Sequence, residues 1–499
     1  MSLLERMDRV YTVTSTMGFE ALLAGKAVTV FGLPWYSGWG ATDDRQHGER
    51  RTRQRTIDEL FAAAYIHYAI YLDPVSRRRG TIFDVINWLI LQRRMAARFS
   101  GRMICLGFRR WKAAALRPML SLYPERVHFV ADIAEARTIG PLANDCLIIW
   151  GRELPPGLEA LAEQTGARIV HMEDGFIRSV GLGSDFIKPQ SIVLDSRGIY
   201  FDPGRPSDLE YILNAGEFTK DELESAAKLR RIIINNDITK YNVGTPDTPD
   251  WGRGEREVVL VPGQVEDDAS IRYGCPGIRT NSDLLAAARV AHPDAFIVYK
   301  PHPDVVSGNR SGHVPLSETA AYADHVETKR SIISCIEACD VVHTMTSLTG
   351  YDALLRDKRV VVHGVPFYAG WGLTEDMSDA DAMTRRSRKL TLDELVAGTL
   401  LKYPLYWDWE LKTYAPCEAT LHRRAGSVCL NSFGRLAKWI PPRLCRHHHW
   451  CQRVEVRAGS VCLNSFGRLA KWIPPRLCRH HHWCQRVEVG LIRRLPVKG

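Results

Sequence analysis

The chain has 499 residues, 45% of them hydrophobic and 25% charged, a composition typical of a soluble globular protein with two to four domains. Its net charge of +9 is unevenly spread, because residues 424–499 alone carry +13 and the rest of the chain −4. A mildly acidic body argues against nucleic-acid binding, and the sequence shows neither a signal peptide nor an apolar run long enough to span a bilayer. These features predict a cytoplasmic protein.

Residues 1–73 repeat a stretch that occurs again near the end of the folded sequence. The segment 14–23 (TSTMGFEALL) matches 346–355 (TSLTGYDALL), and 31–40 (FGLPWYSGWG) matches 363–372 (HGVPFYAGWG). The second copy follows a long stretch of globular sequence, whereas the first begins close to Met1. We therefore expect residues 1–73 to be the C-terminal remnant of a first module that has lost most of its N-terminal part.

Residues 74–100 form a predicted linker helix, because 83–98 is amphipathic. From residue 101 onward, short apolar strands alternate with helical segments, an order that predicts parallel sheets wrapped by helices. The expected strands form two sets: 103–108, 127–130, 146–150 and 168–171, then 257–262, 295–299, 341–343 and 359–363. A further helical stretch, 390–403, is expected to pack back on the first half.

We therefore predict an α/β fold of the GT-B type, in which two Rossmann-like halves, 101–250 and 251–420, flank a crevice. The partial copy at 1–73 precedes this complete module. Residues 421–499 are basic, and within them 424–456 is repeated without change at 457–489. The Cys and His side chains of this tail could bind a metal and its basic Trp-containing segments could bind anionic lipid, but a disordered appendage is the favoured prediction.

The remaining cysteines lie in apolar strand or helix contexts. In a cytoplasmic protein they are predicted to be reduced thiols of the core. They are Cys105, Cys146, Cys275, Cys335, Cys339 and Cys417.

Two acids, Glu173 and Asp174, directly follow the predicted strand at 168–171. They therefore lie at the carboxyl edge of a sheet, where α/β proteins form their sites. One acid can act as nucleophile or general base while the other braces the loop. An ordinary Asp-Gly turn with a capping acid is the alternative.

Two further loops carry polar side chains after strands. Gln264 and Glu266 follow the strand at 257–262 and point the same way if the backbone stays extended; the alternative is an N-terminal cap for the next helix. Lys300 and His302 follow the strand at 295–299 in a loop stiffened by two prolines, and an imidazolium there would stabilise the charge of a departing phosphate. A surface turn is the alternative for that loop.

The turn 344–350 is rich in hydroxyl groups and opens a helix. Backbone N–H groups left free at a helix start form a site for phosphate or carboxylate, although an ordinary capped helix explains the same pattern. Candidate ligands there are Thr346, Ser347, Thr349 and Gly350. The later aromatic, glycine-rich loop could cover a sugar or base with Tyr368 and Trp371, or could be a packed tryptophan corner.

Together these loops resemble the capsule polysaccharide biosynthesis and export family of the KpsC (LipA) type. The segments that carry the resemblance are EDGFIRSVGLG, PGQVEDDASI, YKPHPDV, TSLTGYDALL and VPFYAGWGLTED, and it extends over roughly residues 10–420. The family implies a β-Kdo transferase that uses CMP-Kdo as donor and a lipid-linked Kdo acceptor. It further implies a cytoplasmic protein peripheral to the inner membrane, with the capsule export machinery as a partner.

By this resemblance Asp174 is the catalytic carboxylate, assisted by Glu266 and His302. The substrate-binding residues implied are Glu173, Arg178, Gln264, Lys300, Thr346, Ser347, Thr349, Gly350, Tyr368 and Trp371. Arg178 is expected to bind the Kdo carboxylate as a bidentate fork. No metal or cofactor is expected, CMP-Kdo being a donor substrate.

The first copy keeps only the hydroxyl turn and the aromatic loop, so it is not expected to be an active transferase. Two other functions fit the same fold. A nucleotide-sugar epimerase would use the anion-binding turn equally well, and a non-catalytic export scaffold would need no catalytic acid. The acid loop distinguishes them, because a scaffold has no use for Asp174 opposite His302.

Overall fold

The computed structural model describes residues 3–177, 188–239, 245, 247–308 and 310–423. Arg178 and the basic tail from residue 424 lie outside these ranges, so the predictions made for them remain untested. Within the described ranges, no helix combines the length and apolar character needed to cross a membrane. The six cysteines named above are all buried and unbonded, which confirms their prediction as core thiols.

The first copy of the repeat, in residues 3–73, forms a small parallel sheet with helices beside it. Its strands are β1 (Arg9–Thr12), β2 (Ala27–Val30) and β3 (Asp43–Asp44), and its helices are α1 (Met17–Leu23) and α2 (Ile57–Phe61). Helix α2 runs into a π-helix, Ala62–Tyr68, and a hairpin of β4 (Tyr71–Leu72) and β5 (Arg79–Gly80) follows.

Helix α3 (Ile82–Arg98) joins the first copy of the repeat to the first half and begins at a capping box between Thr81 and Asp84. Its Gln92 side chain exchanges two hydrogen bonds with the backbone of Tyr414, at 2.8 and 3.0 Å. The Gln92 amide thus hydrogen-bonds the backbone N–H and C=O of β18, an edge strand of the seven-stranded sheet. Trp88 of the helix is buried, whereas Phe83 and Leu89 are exposed, so the linker packs by one face only.

The first half is a mixed sheet in which the described residues supply seven strands, in the order β18-β17-β10-β9-β8-β6-β7. The four strands from β9 to β7 are parallel, and the three others pair antiparallel. The strands are β6 (Met103–Leu106), β7 (Val127–Val130), β8 (Cys146–Trp150), β9 (Arg168–Asp174), β10 (Ser191–Asp195), β17 (Pro404–Asp408) and β18 (Thr413–Ala415). Its helices are α4 (Arg110–Leu120), α5 (Ile133–Ile139), α6 (Leu158–Thr165), α7 (Asp208–Ala215) and α8 (Lys220–Asn235).

The second half is a parallel sheet, six-stranded over the described part of the chain, in the order β13-β12-β11-β14-β15-β16. Its strands are β11 (Val258–Pro262), β12 (Phe296–Lys300), β13 (His325–Val326), β14 (Val341–Thr344), β15 (Arg359–Val362) and β16 (Glu375–Asp376). Its helices are α9 (Ala269–Gly274), α10 (Asn281–Ala291), α11 (Pro303–Val306), α12 (Leu316–Tyr322), α13 (Ile332–Ala338), α14 (Leu348–Leu354), α15 (Asp381–Arg385) and α16 (Leu392–Val396). The sheets are rich in parallel strands, as predicted.

The chain returns from the second half to the first. Helix α16 continues as a π-helix, Ala397–Lys402, and both pack against α8. Strands β17 and β18 then join the first sheet, so the segment 404–415 belongs by hydrogen bonding to the half that begins at residue 101. One continuous buried cluster therefore contains side chains from both halves, among them Phe176, Leu213, Val342 and Tyr403.

The two copies of the internal repeat make the same hydrogen bonds at matching residues. Tyr36 donates its hydroxyl to the carbonyl of Ser15 at 2.5 Å, and Tyr368 donates to Ser347 at the same distance. Trp39 and Trp371 each donate the indole N–H to the backbone carbonyl four residues earlier, at 2.9 Å. Each copy ends in a helix with a Thr–Glu capping box that passes into a π-helix. The matched residues thus encode one local fold twice.

Three histidines form a hydrogen-bonded chain across the second sheet. His343 contacts His292 (Nε2 to Nε2, 3.0 Å) and His363 (Nδ1 to Nε2, 3.1 Å), and His292 Nδ1 contacts Glu257 at 2.9 Å. A single set of neutral tautomers satisfies all three hydrogen bonds: His363 donates to His343, His343 donates to His292, and His292 donates to Glu257. Burial lowers the pKa of His343 to about 3, with the neighbouring histidines adding to the effect, and burial lowers the pKa of His363.

Substituting Gly350 with Ala is expected to lower the free energy of unfolding by about 2 kcal/mol. A Cβ at this position would lie 2.3 Å from the hydroxyl oxygen of Tyr368 and 3.1 Å from Thr344, inside a packed core. Gly277→Ala is the matched control, because a Cβ there meets nothing within 4 Å. Urea unfolding of both variants tests the prediction, which fails if the two differ by less than the error of the measurement.

Acidification is expected to destabilise the protein through the histidine chain. Because the folded-state pKa of His343 lies below the ordinary value, its contribution to stability is complete above about pH 6.5 and is lost as the pH falls toward 3, by about 1.4 kcal/mol per pH unit. Glutamine does not titrate in this range. The His343→Gln variant should therefore have a lower free energy of unfolding than the parent at neutral pH, but should lose less of it as the pH falls. Equal slopes of unfolding free energy against pH in the two proteins would contradict the assignment.

Candidate active site

Glu173 and Asp174 are the last two residues of β9, opposite Val193 and Ile192 of β10, so the predicted position after the strand is corrected. We call the segment 173–177 the acid loop. Both acids are half-buried, and the Asp174 N–H donates to Oε1 of Glu173 at 2.9 Å. The Glu173 carboxylate therefore holds the backbone of Asp174.

Phe176 fixes the acid loop against the other half. Its ring centroid lies 4.4 Å from that of Phe367 and 6.4 Å from that of Tyr351, and its side chain is buried. Phe176, Ile177 and Leu348 line one small internal cavity. Asp174 lies two residues before Phe176, and Leu348 directly follows Ser347. The segments that carry the acid and the hydroxyls therefore meet through this apolar contact.

The hydroxyl turn precedes α14 and supplies its own cap. Ser347 Oγ accepts the N–H of Thr349 at 3.1 Å, and the N–H groups of Ser347 and Gly350 go to Thr344 Oγ1 and the Ser347 carbonyl. The Thr346 N–H donates to Gln264. The expectation that this turn leaves its backbone N–H groups free is therefore wrong for these four residues, and the ordinary capped helix is what forms. The hydroxyls of Ser347 and Thr349 remain half-exposed.

Gln264 ties its own loop to the hydroxyl turn. Its amide donates to Thr346 Oγ1 at 3.1 Å and accepts the Thr346 N–H at 2.9 Å, and the side chain is buried. Glu266 Oε1 accepts the N–H of Asn281 at 2.7 Å, at the first residue of α10. Both predicted substrate-binding or catalytic side chains therefore hold loops in place. The cap of the next helix, which was the alternative prediction, is instead supplied by Asp268.

Lys300 is the last residue of β12 and His302 lies two residues beyond it, but the two side chains make different contacts. Nδ1 of His302 accepts the N–H of Asp304 at 3.2 Å, so the ring caps the start of α11 with this nitrogen. Nζ of Lys300 donates to the backbone carbonyl of Arg330 at 2.7 Å, and burial lowers the pKa of the ammonium. The lysine therefore satisfies an interior carbonyl.

The aromatic loop is a packed corner. Tyr368 and Trp371 are 0% and 1% exposed, and both belong to the cluster that spans the two halves. Their polar atoms bond the Ser347 and Phe367 carbonyls. The prediction that these rings cover a substrate is therefore corrected: they support the hydroxyl turn from beneath, because close packing on Gly350 leaves no surface for a ligand.

Some residues that shape the crevice were missed in the sequence analysis. Asn281, 1% exposed, bonds the backbone of Gln264 in both directions and reaches the Gly312 carbonyl. Across the crevice, Tyr273 donates to Glu153 at 2.6 Å, and the guanidinium of Arg152 lies 4.1 Å from the centroid of its ring. Arg152 and Glu153 follow β8 closely, and that position could have indicated them, whereas Tyr273 in α9 and Asn281 at the start of α10 carry no such signal.

Comparison with known proteins agrees with this architecture. The family profile described as "Capsule polysaccharide biosynthesis protein" matches residues 1–73, 145–247 and 242–406. The chain is 47% identical over 417 residues to the capsule polysaccharide modification protein LipA of Neisseria meningitidis serogroup B, an alignment that covers 81% of this chain and 58% of the relative. The chain thus spans less than two thirds of the length of that relative.

Two solved structures share the fold. They are the Thermosulfurimonas dismutans KpsC β-Kdo 2,7 transferase (34% identity, TM-score 0.51) and β-Kdo 2,4 transferase (28% identity, TM-score 0.56). They cover 64% and 65% of this chain and are themselves covered over 97% and 98% of their length. The GT-B fold and the resemblance drawn from the loop motifs are confirmed, and the chain belongs to the capsule polysaccharide biosynthesis protein family.

Proposed function

We propose that the protein is a glycosyltransferase that adds β-Kdo from CMP-Kdo to a lipid-linked acceptor ending in Kdo. The observation that carries the proposal is the packing of the acid loop through Phe176 onto Tyr351 and Phe367 of the other half. Phe176 lies two residues beyond Asp174 and Tyr351 lies four residues beyond Ser347, so this packing joins the two segments that carry the carboxylate and the hydroxyl groups. The relatives described as β-Kdo transferases have the same fold.

In this proposal Asp174 is the catalytic carboxylate, acting on the donor sugar either as nucleophile or as base toward the acceptor hydroxyl. As base, Asp174 takes the hydroxyl proton of the acceptor while the acceptor oxygen displaces CMP from the anomeric carbon. As nucleophile, Asp174 first bonds the anomeric carbon and displaces CMP; that bond breaks when the acceptor oxygen attacks, and the acceptor proton passes to the CMP phosphate. On both routes CMP leaves with the electrons of the bond to its phosphate oxygen. Glu173 holds the Asp174 loop, because its carboxylate accepts the backbone N–H of Asp174.

The departing phosphate needs hydrogen-bond donors. We assign them to the Nε2–H of His302 and to the hydroxyls of Ser347 and Thr349. These half-exposed residues follow β12 and β14, two parallel strands of the second sheet that are separated by β11. A neutral imidazole can donate one such bond and stabilise the developing charge. Gln264 and Glu266 act indirectly, by holding these loops at their present separation.

The proposal includes transfer without a bound metal or cofactor, and a chelator that leaves the rate unchanged would agree with it. It also includes action at the cytoplasmic face of the inner membrane, where a lipid-linked acceptor is available, in contact with the capsule export machinery. Flotation of the protein with lipid vesicles tests the membrane contact separately from the chemistry.

Asp174→Asn is expected to lower the rate of Kdo transfer about a thousandfold while CMP binding stays intact, because the change removes the carboxylate charge and little else. The measurement is the mass gain of a synthetic Kdo-terminated lipid after incubation with CMP-Kdo generated in situ. Glu159→Gln, an exposed acid on α6, is the control and should transfer normally. Full activity of the Asp174 variant would remove the carboxylate from the mechanism.

His302→Gln is expected to weaken CMP binding about tenfold, since one donor to the phosphate is displaced. Lys300→Met should change CMP affinity less than about twofold but lower stability by about 1–2 kcal/mol, because the Arg330 carbonyl loses its buried partner. Calorimetric titration and urea unfolding separate the two effects. A tenfold loss of CMP affinity in the lysine variant would restore the phosphate role that the sequence predicted for it.

A further inference from the structure

A cluster of aromatic and cationic side chains lies at the carboxyl edge of the first sheet, apart from the loops discussed above. It is formed by residues after β6 and at the end of β8, and we name it the basic aromatic surface: Phe108, Arg109, Arg110, Trp111, Lys112 and Trp150. The rings of Phe108 and Trp150 meet edge to face at 6.2 Å, and Nζ of Lys112 lies over the Trp150 ring. Trp111 is 43% exposed.

The surface borders the crevice. Strand β8 pairs parallel with β9, Trp150 being opposite Met172, so both strands end at the edge that carries Asp174. Arg152, two residues beyond Trp150, contacts Tyr273 of the other half. Strand β6 is two strands from β9, which places the start of its loop about 10 Å from the acid loop. A short oligosaccharide bound at Asp174 would span that distance.

Two cations of this surface, Arg109 and Arg110, have no counter-charge among the residues that the structure describes. Arg109 and Arg110 are exposed and form no hydrogen bond or ion pair with any described residue. They lie at the N-terminus of α4, an eleven-residue helix that has no side-chain cap. Two guanidinium groups beside the positive end of a helix dipole repel it, and an anion bound between them would relieve that repulsion.

We propose that the basic aromatic surface binds the acidic part of the acceptor, a carboxylate or phosphate group, with Arg109 and Arg110 as anion ligands and Trp111 packing on the adjoining sugar. The inference rests on the proposed transferase function and deepens it by assigning the acceptor side of the crevice. Aromatic rings with interleaved arginines match a ligand that offers apolar sugar faces and negative charge together.

The test is the double variant Arg109→Gln/Arg110→Gln of the full chain, assayed with Kdo-terminated lipid acceptors. The KM for acceptor should rise on the order of tenfold or more while kcat at saturating acceptor and CMP affinity stay unchanged. Added salt should raise the KM of the parent protein more than that of the variant. Arg94→Gln, an exposed arginine of α3, is the matched control and should behave as the parent.

Acceptor analogues identify the source of the charge. If a methyl ester of the acceptor carboxylate abolishes the difference between parent and variant, the carboxylate is the ligand; if an acceptor without phosphate abolishes it, the phosphate is. An unchanged KM in a folded variant, or an equal rise with an acceptor that lacks both charges, would overturn the inference.

Direct titration of the acceptor, followed by NMR, separates this inference from the proposed reaction. If the parent protein binds the acceptor without transferring Kdo and the double variant binds it tenfold more weakly, the surface assignment stands and the transferase proposal fails. If the parent transfers Kdo and the double variant binds the acceptor equally well, the surface assignment fails and the transferase proposal stands.

Discussion

The antiparallel pairing of β17 with β10 is the constraint on which the rest of the molecule depends. Through it, a segment that follows the second half completes the sheet of the first, with Ile192 opposite Leu405. Tyr403, at the start of this return, donates its hydroxyl to the buried carboxylate of Asp195, whose pKa is raised by burial and by the nearby charge of Asp208. The two halves therefore share one apolar core, and the acid loop is packed rather than free.

The site is divided between residues that face the crevice and residues that hold its walls. Gln264, Glu266 and Tyr368 sit in the motifs that carry the family resemblance, yet their polar atoms are bound to neighbouring loops. A motif can thus be specific for a family because it encodes a rigid frame. The side chains left half-exposed, Asp174 and His302, are few by comparison, and the frame determines where they point.

The architecture was predictable because its signals are local. Apolar runs followed by polar loops predicted eight of the thirteen strands described in the two halves, and matched segments predicted the repeat. The strands missed were β10, β13, β16, β17 and β18. The direction of individual side chains was not predictable in the same way. Lys300 at a strand end suits a phosphate, but its ammonium bonds a carbonyl thirty residues away in sequence, and Trp371 in a glycine-rich loop is buried by partners from another element. Only tertiary contacts determine whether such a side chain binds a ligand or packs in the core.

The chain forms the same tyrosine–serine contact twice, between Tyr36 and Ser15 and between Tyr368 and Ser347, and this repetition has a practical consequence. Tyr36 and Tyr368 make the same bond to the same kind of turn, but only the second turn adjoins the acid loop. Each substitution in the corner therefore has a twin within the same polypeptide that reports its effect on folding without any effect on chemistry. The first copy serves as an internal reference. The effect of a substitution on stability, measured in the first copy, can be separated from the effect of the matching substitution on catalysis, measured in the second.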